Sequence, residues 1–436
     1  MKTLFDGEKA FKHIEKLAVE IGARPGGSPE DQLAAKYIKK YFENLGLETS
    51  IQEFEIKTGY TVNQSLEVIK PYHESVSCEG MSLIGQTGPD GITGELVYIE
   101  TTDEEYLTPE ITGKIVITSG VKRKNIERIA ELKPLGFIFI ENYPRMLRKH
   151  FWGNFPQDKE YGNFPSVRIS FEDGFKLLKS KATHAKIVVK AEKVTRKTQN
   201  IVAELKGSTH PEEIILVGGH YDTVPDVHGA SDNAGGTSIT MELARVFKEK
   251  GSKRTLRFIA WGSEEMGLDG SNLYAKKLKT DDKKTKEHDK GAKTELDKTM
   301  LSINLDVHGA LIGTNVASIL GPPILTHSLK LLSKETGIVY DVKEAVYSSD
   351  GTPLSAVGVP SASFSRKSGI DLMMHSVEDI IEYLSPKALA DQGKFIETWM
   401  TRYITQAAAF PFEKEIPENL RKEIASYYKE WKEPLP

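Results

Sequence analysis

The sequence predicts an α/β protein with a mixed, largely parallel central sheet flanked by helices and interrupted by a smaller β-rich insert. Three observations carry that expectation. Apolar runs at Glu213–Val217, Leu256–Trp261 and Met300–Leu305 have the length and continuity of strands buried on both faces. A helical repeat lies between the first two, from about Gly235 to Lys250, with Ile239, Leu243, Val246 and Phe247 on one side. Such strand–helix–strand alternation is the pattern of an open parallel sheet. Between about Leu66 and Lys193 the texture changes to short β-branched runs separated by turns.

Taken in order, Glu8 to Ile21 places Phe11, Ile14, Leu17, Ala18 and Ile21 at helical spacing, and the Gly22–Gly27 stretch, with its Pro25, breaks that helix. Ser28 and Asp31 form an N-cap pair for the next helix, whose inner side carries Leu33, Ala34, Tyr37, Ile38, Tyr41 and Phe42 and whose C-cap is Gly46. Glu48–Lys57 reads as a strand. In the insert, Glu95–Ile99, Lys114–Thr118, Gly136–Ile140 and Lys186–Lys190 read as strands, Asn125–Leu132 as a helix, and Asn142–Pro165 as a long ordered loop. Pro417–Trp431 spaces Leu420, Ile424, Tyr427, Tyr428 and Trp431 as a helix that docks on its own domain, with an oligomer contact as the alternative.

At 436 residues the chain has room for two or three domains. The balance of 58 basic and 62 acidic residues, a net charge of −4, does not favour a nucleic-acid or anionic-membrane binder. Residues 276–298 hold nine lysines but also six acidic residues and almost no aromatics, which suits a solvated surface better than a nucleic-acid patch. No apolar run approaches the roughly 20 residues that cross a bilayer. The start of the chain lacks a signal-peptide core, so a cytoplasmic protein is expected. A single cysteine, Cys78, forms no intramolecular disulfide and supplies no thiolate-rich metal site.

Chemistry concentrates just beyond the buried strands. Gly218-Gly219-His220-Tyr221-Asp222-Thr223 follows the first of them, where ligands of open α/β sheets collect. In extended backbone His220 and Asp222 share a face, so Asp222 can support the imidazole from its far nitrogen. Gly229-Ala230-Ser231-Asp232-Asn233-Ala234-Gly235-Gly236 opens a helix, Trp261-Gly262-Ser263-Glu264-Glu265-Met266-Gly267-Leu268 follows the second strand, and Asn304-Leu305-Asp306-Val307-His308-Gly309 ends the third. Met374-His375-Ser376-Val377-Glu378-Asp379 supplies a late histidine. Most have an ordinary structural explanation alone, as a core histidine, an N-cap aspartate, surface glutamates or a surface histidine, but an apolar strand tipped by Asp306 is hard to explain by core packing. Together, His220, Asp232, Glu265, Asp306 and His375 make a set of two imidazoles and three carboxylates able to hold two divalent ions if one carboxylate bridges. Such donors suit zinc, cobalt or manganese. Glu264 is then the natural general base.

These five ordered motifs resemble the co-catalytic di-zinc aminopeptidases, the superfamily that also contains glutamate carboxypeptidase II and transferrin receptor. The likeness spans roughly residues 1–60 and 195–412, the Arg24–Gly27 loop included. It implies a discontinuous zinc-peptidase domain over those residues, with a phosphorylase/hydrolase-like fold. Residues 61–194 resemble a protease-associated domain that partly covers the mouth of the site, and residues 413–436 are left as a helical tail. By the resemblance, Asp232 bridges two zinc ions, His220 and Glu265 complete one site, and Asp306 and His375 complete the other. Glu264 passes a proton from water to the leaving amine, and Asp222 supports His220. Peptides are the implied substrates, with a homo-oligomer possible. The sequence departs from the family at Ser349-Asp350-Gly351-Thr352-Pro353-Leu354, where Gly351 replaces a usual histidine. It also has Met374 where some relatives carry an oxyanion tyrosine, a part Tyr347 could take. Related di-zinc carboxypeptidases and N-acyl-amino-acid deacylases are the alternative, since His220–Pro225 is at home among them. A non-catalytic receptor-like protein is disfavoured because all six acid or imidazole positions are present.

Overall fold

The computed structural model describes residues 3–81, 85–120, 122–144, 146–149, 164–369, 373–430 and 435–436. The chain divides into two compact units: residues 1–56, 196–429 and 434–436, and residues 57–195 with 430–433. Among the described residues no helix is long and apolar enough to cross a membrane.

The first unit is built on a mixed sheet. Thr299–Leu305 and Arg254–Trp261 flank His210–His220 in parallel. Ser361–Lys367 lies parallel to Thr299–Leu305, and Thr314–Leu320 pairs antiparallel with it and parallel with Tyr340–Glu344. On the other side, Leu256–Ala260 pairs antiparallel with Ile201–Leu205. Because side chains alternate along a strand, Ile215 and Val217 enter one core with Ile239, Leu243, Phe247 and Phe258. Ile214 and Leu216 enter the opposite core with Ile259, Trp261, Tyr274 and Leu278. Both faces of the central strand are therefore apolar, which is why its sequence reads as a continuous run rather than an alternation.

Helices cover the two faces. Asp6 caps the first, accepting from Glu8 N and Lys9 N; this helix is α-helical over Gly7–Ile14 and continues with wider turns over Glu15–Ile21. Ser28 Oγ accepts from Asp31 N at the start of Pro29–Asn44, and Gly46 leaves that helix with φ +69°. The strand expected over Glu48–Lys57 runs on to Lys70, through Gly59 and Asn63. The tail helix Glu418–Glu430 buries Leu420, Ile424 and Tyr428 with Leu320 and Ile416. Trp431 lies outside the described residues.

The second unit has parallel pairings among Ile92–Tyr98, Ile115–Thr118, Gly136–Ile140 and Ser166–Ile169. Glu79–Gly80 pairs antiparallel at one end of this set, and Ala185–Ile187 at the other. Helices Ile126–Leu132 and Phe171–Lys179 accompany the strands. Most of the loop expected over Asn142–Pro165 lies outside the described residues. The lysine-rich stretch forms most of the helix Asp269–His288 and the short helix Glu295–Lys298, with its lysines mostly exposed.

Candidate metal centre

Parallel pairing sets His220 beside Trp261 at the carboxyl ends of two neighbouring strands. The residues that follow, Asp222 on one strand and Glu264 and Glu265 on the other, emerge at the same sheet edge. Asp306 emerges there too, directly after Leu305. Asp232 comes from the tight turn Ala230–Gly235, which leads into the helix Gly236–Lys250. Glycines permit this approach: a Cβ at Gly219 or Gly236 would come 2.4 or 2.1 Å from Leu305 O. His375, at φ +63°, is delivered by the loop after Ser361–Lys367.

The side chains converge around Asp232. Its Oδ1 lies 3.1 Å from His220 Nε2, and its Oδ2 lies 3.3 Å from His375 Nε2. His220 Nε2 is also 3.4 Å from Asp306 Oδ1 and 3.9 Å from Glu264 Oε2. His375 Nε2 is 3.0 Å from Glu265 Oε2. The far nitrogen of His220 is 3.2 Å from the Asp222 carbonyl and 3.5 Å from its carboxylate. Potential ligand atoms of His220, Asp232 and Glu265, and of His220, Glu264 and Asp306, lie within 4.8 Å of one another.

The shortest distances join His220 to Asp306 and His375 to Glu265, with Asp232 shared, while His220 and Glu265, grouped together in the sequence reading, also lie within 4.8 Å of one another and of Asp232. His220 leaves a strand flanked in parallel on both sides, so Asp306 from one neighbour and Glu264 and Glu265 from the other rise beside it.

Burial sets the electrostatics. It pushes the Glu264 carboxyl well above the usual range, helped by Glu265, Asp350 and Asp306, although His220 opposes the rise. For His375, burial favours the neutral ring, but Glu265 and Asp232 outweigh it and raise the pKa to about 10. A knot of carboxylates excluded from water calls for positive charge. Among the described residues, Glu265 Oε1 and Asp306 Oδ1 are buried and have no hydrogen-bond partner. Two imidazoles, several carboxylates and no thiolate are the donors that zinc, cobalt or manganese accept, so the residues fit such ions.

Sequence reasoning missed several supporting side chains. Asp379 accepts the backbone N–H groups of Ser231 and Asp232 at 2.8 and 3.0 Å, and burial raises its pKa to about 7. Ser349 Oγ donates to Asp306 Oδ2 at 2.7 Å and accepts from Asn304 Nδ2. Arg24 is wholly buried. The aspartate four residues beyond His375 and the serine before Asp350 were visible in the motifs, but the groups they bind were not. His308 turns aside, with Nδ1 on Gln392 Oε1, and burial lowers its pKa to about 4. The carbonyl oxygen of Tyr347 accepts from Thr352 Oγ1. A Cβ at Gly351 would come 2.3 Å from Ser361 Oγ, which explains the departure from the family histidine.

Residues 200–400 match the model of peptidase family M28. Aminopeptidase YwaD of Bacillus subtilis is 27% identical, over 90% of this chain and 84% of its own length. Bovine carboxypeptidase Q is 26% identical over 61% of this chain, and the match spans 60% of its length. The fold is that of the crystal structure of BSAP, a zinc aminopeptidase from Bacillus subtilis, at a TM-score of 0.76 and 24% identity, covering 96% of this chain and all of that one. The sheet and the motif order agree with this match: residues 200–400 are similar to peptidase family M28, and the chain shares the fold of a zinc aminopeptidase.

Proposed function

We propose that this protein is a metal-dependent aminopeptidase that removes N-terminal residues from peptides, using two divalent ions, zinc foremost, with Glu264 as general base. The observation that carries the reading is the convergence of His220, Glu264, Glu265, Asp306 and His375 on Asp232 in one buried cluster. YwaD and BSAP, both named as aminopeptidases, support the choice of reaction.

His220, Asp232 and Asp306 would hold one ion, and Asp232, Glu265 and His375 the other. When bound, such a pair supplies Lewis acidity that polarises the scissile carbonyl and makes water more acidic. The chain's own residues do the rest. Glu264 accepts a proton from the attacking water and donates it to the departing amine, for which a carboxyl pKa raised by burial is suited. Asp222 orients this machinery from both sides, facing the far nitrogen of His220 while receiving the Glu264 and Glu265 amides. Ser349 fixes the Asp306 carboxylate. We read the unit of residues 57–195 as a protease-associated module without catalytic groups of its own.

The resemblance to carboxypeptidase Q favours a second reading, a carboxypeptidase or deacylase. Paired assays decide between them. Protein stripped with chelator and reloaded with zinc or cobalt should cleave short free-amine peptides and leave their N-acetylated forms intact. Cleavage of the blocked forms would shift the assignment to the second reading, and cleavage of neither with any metal would overturn both.

A further inference from the structure

Arg24 is 0% exposed, yet among the described residues its guanidinium makes no ion pair with a carboxylate. Its hydrogen bonds go to five backbone carbonyls. Nε donates to Tyr221 O at 2.5 Å; one terminal nitrogen reaches His228 O at 2.7 Å, Gly22 O at 3.0 Å and Leu17 O at 3.3 Å; the other reaches Gly229 O at 3.1 Å. Thr223 closes the arrangement: its Oγ1 accepts from Arg24 N at 2.9 Å, and its N–H donates to Arg24 O.

The choice of acceptors is informative. Tyr221 stands between His220 and Asp222, and Gly229 lies three residues before Asp232. One planar fork therefore ties the strand end that carries His220 to the turn that carries the shared aspartate. Asp379 grips the same turn through the Ser231 and Asp232 amides and the Ala230 N–H. Few simpler arrangements could make these bonds, because a fork with five N–H groups is needed to span several carbonyls at once.

We infer that Arg24 is a positioning residue that sets the separation of His220 and Asp232, so that the metal-free site already has the spacing two ions require. The inference rests on the di-metal reading for its consequence but not for its geometry. Lysine at this position keeps the charge and loses the fork, so Arg24→Lys separates the two contributions.

Two readouts test it. In metal-free protein, hydrogen–deuterium exchange over residues 220–232 should quicken about tenfold in Arg24→Lys, with the strands Thr314–Leu320 and Ser361–Lys367 unchanged. Cobalt titration of the same proteins should show about 10- to 100-fold weaker binding and altered visible absorption bands in the variant, with kcat lowered and KM nearly constant. Thr223→Val, which removes a single bond to the Arg24 backbone, should change the same quantities in the same direction by less. Wild-type exchange, cobalt affinity and spectrum in Arg24→Lys would overturn the inference. Global unfolding of that variant would overturn it as well, because Arg24 would then support the whole fold rather than the site. Absence of cobalt binding by the wild type would strike the di-metal reading instead and leave the exchange result to decide the role of Arg24.

Discussion

Asp222 accepts the backbone N–H of Glu264 at 3.0 Å through one carboxylate oxygen, while the other oxygen accepts from Glu265 N at 3.2 Å. The same carboxylate lies 3.5 Å from His220 Nδ1. One buried aspartate thereby ties a candidate ligand on one strand end to the candidate base and a second ligand on the next. An asparagine has a single acceptor oxygen, so Asp222→Asn leaves one of the two amides facing an NH2 group. We expect about 1–3 kcal/mol lower stability and about 10- to 100-fold lower kcat/KM. Thermal melting and steady-state assays check both, and unchanged values would remove Asp222 from the arrangement.

Replacing Glu264 by glutamine keeps the volume and removes the proton acceptor. In Glu264→Gln, metal content should stay at the wild-type level while kcat falls by at least about 10²-fold. Near-normal turnover would show that another group handles the proton.

Gly351 opens the helix Gly351–Ala356 against Ser361 and Ser363, whose hydroxyls would lie 2.3 and 2.8 Å from an added Cβ. Gly351→His, which introduces the residue that the resemblance leads one to expect there, should cost about 1–3 kcal/mol through overpacking, read as a lower melting temperature. A variant as stable as the wild type would mean that the strand beneath the helix gives way.

His13 is buried against Tyr41 and has its Nδ1 2.6 Å from Tyr37 Oη; burial lowers its pKa to about 4. The unfolded chain binds this proton near pH 6.5 and the folded chain resists it, so stability is present above about 6.5 and is lost as pH falls toward 4. The sign follows from the folded pKa lying below the unfolded one. His13→Gln should flatten that part of the pH–stability curve, by at most about 3 kcal/mol at pH 4. An identical slope in the variant would assign the acid sensitivity to other groups.

Much of the architecture was legible because the central strands are buried on both faces and so announce themselves as unbroken apolar runs. The candidate residues His220, Glu264, Glu265 and Asp306 could be read because they follow buried strands, and Asp232 because it precedes a helix, whereas His375 lies in a loop and was picked out only by its place in the order of motifs. How these side chains group around Asp232 was not legible, since it depends on their reach at a sheet edge where Thr299–Leu305 and Arg254–Trp261 both lie directly beside His210–His220. Arg24 and Asp379 act on backbone carbonyls and amides of distant loops, and backbone groups leave no mark in residue identity. The short strand predicted after Glu48 failed at its far end because Gly59 and Asn63, residues that often mark turns, lie within an extended chain that runs to Lys70.

The most direct test is equilibrium titration of metal-free protein with zinc, counting ions bound per chain for the wild type and for Asp232→Ala. The geometry around Asp232 predicts two ions for the wild type and impaired binding of both in the variant, because that one carboxylate faces both imidazoles. Fewer than two ions on the wild type, or full occupancy without Asp232, would contradict it.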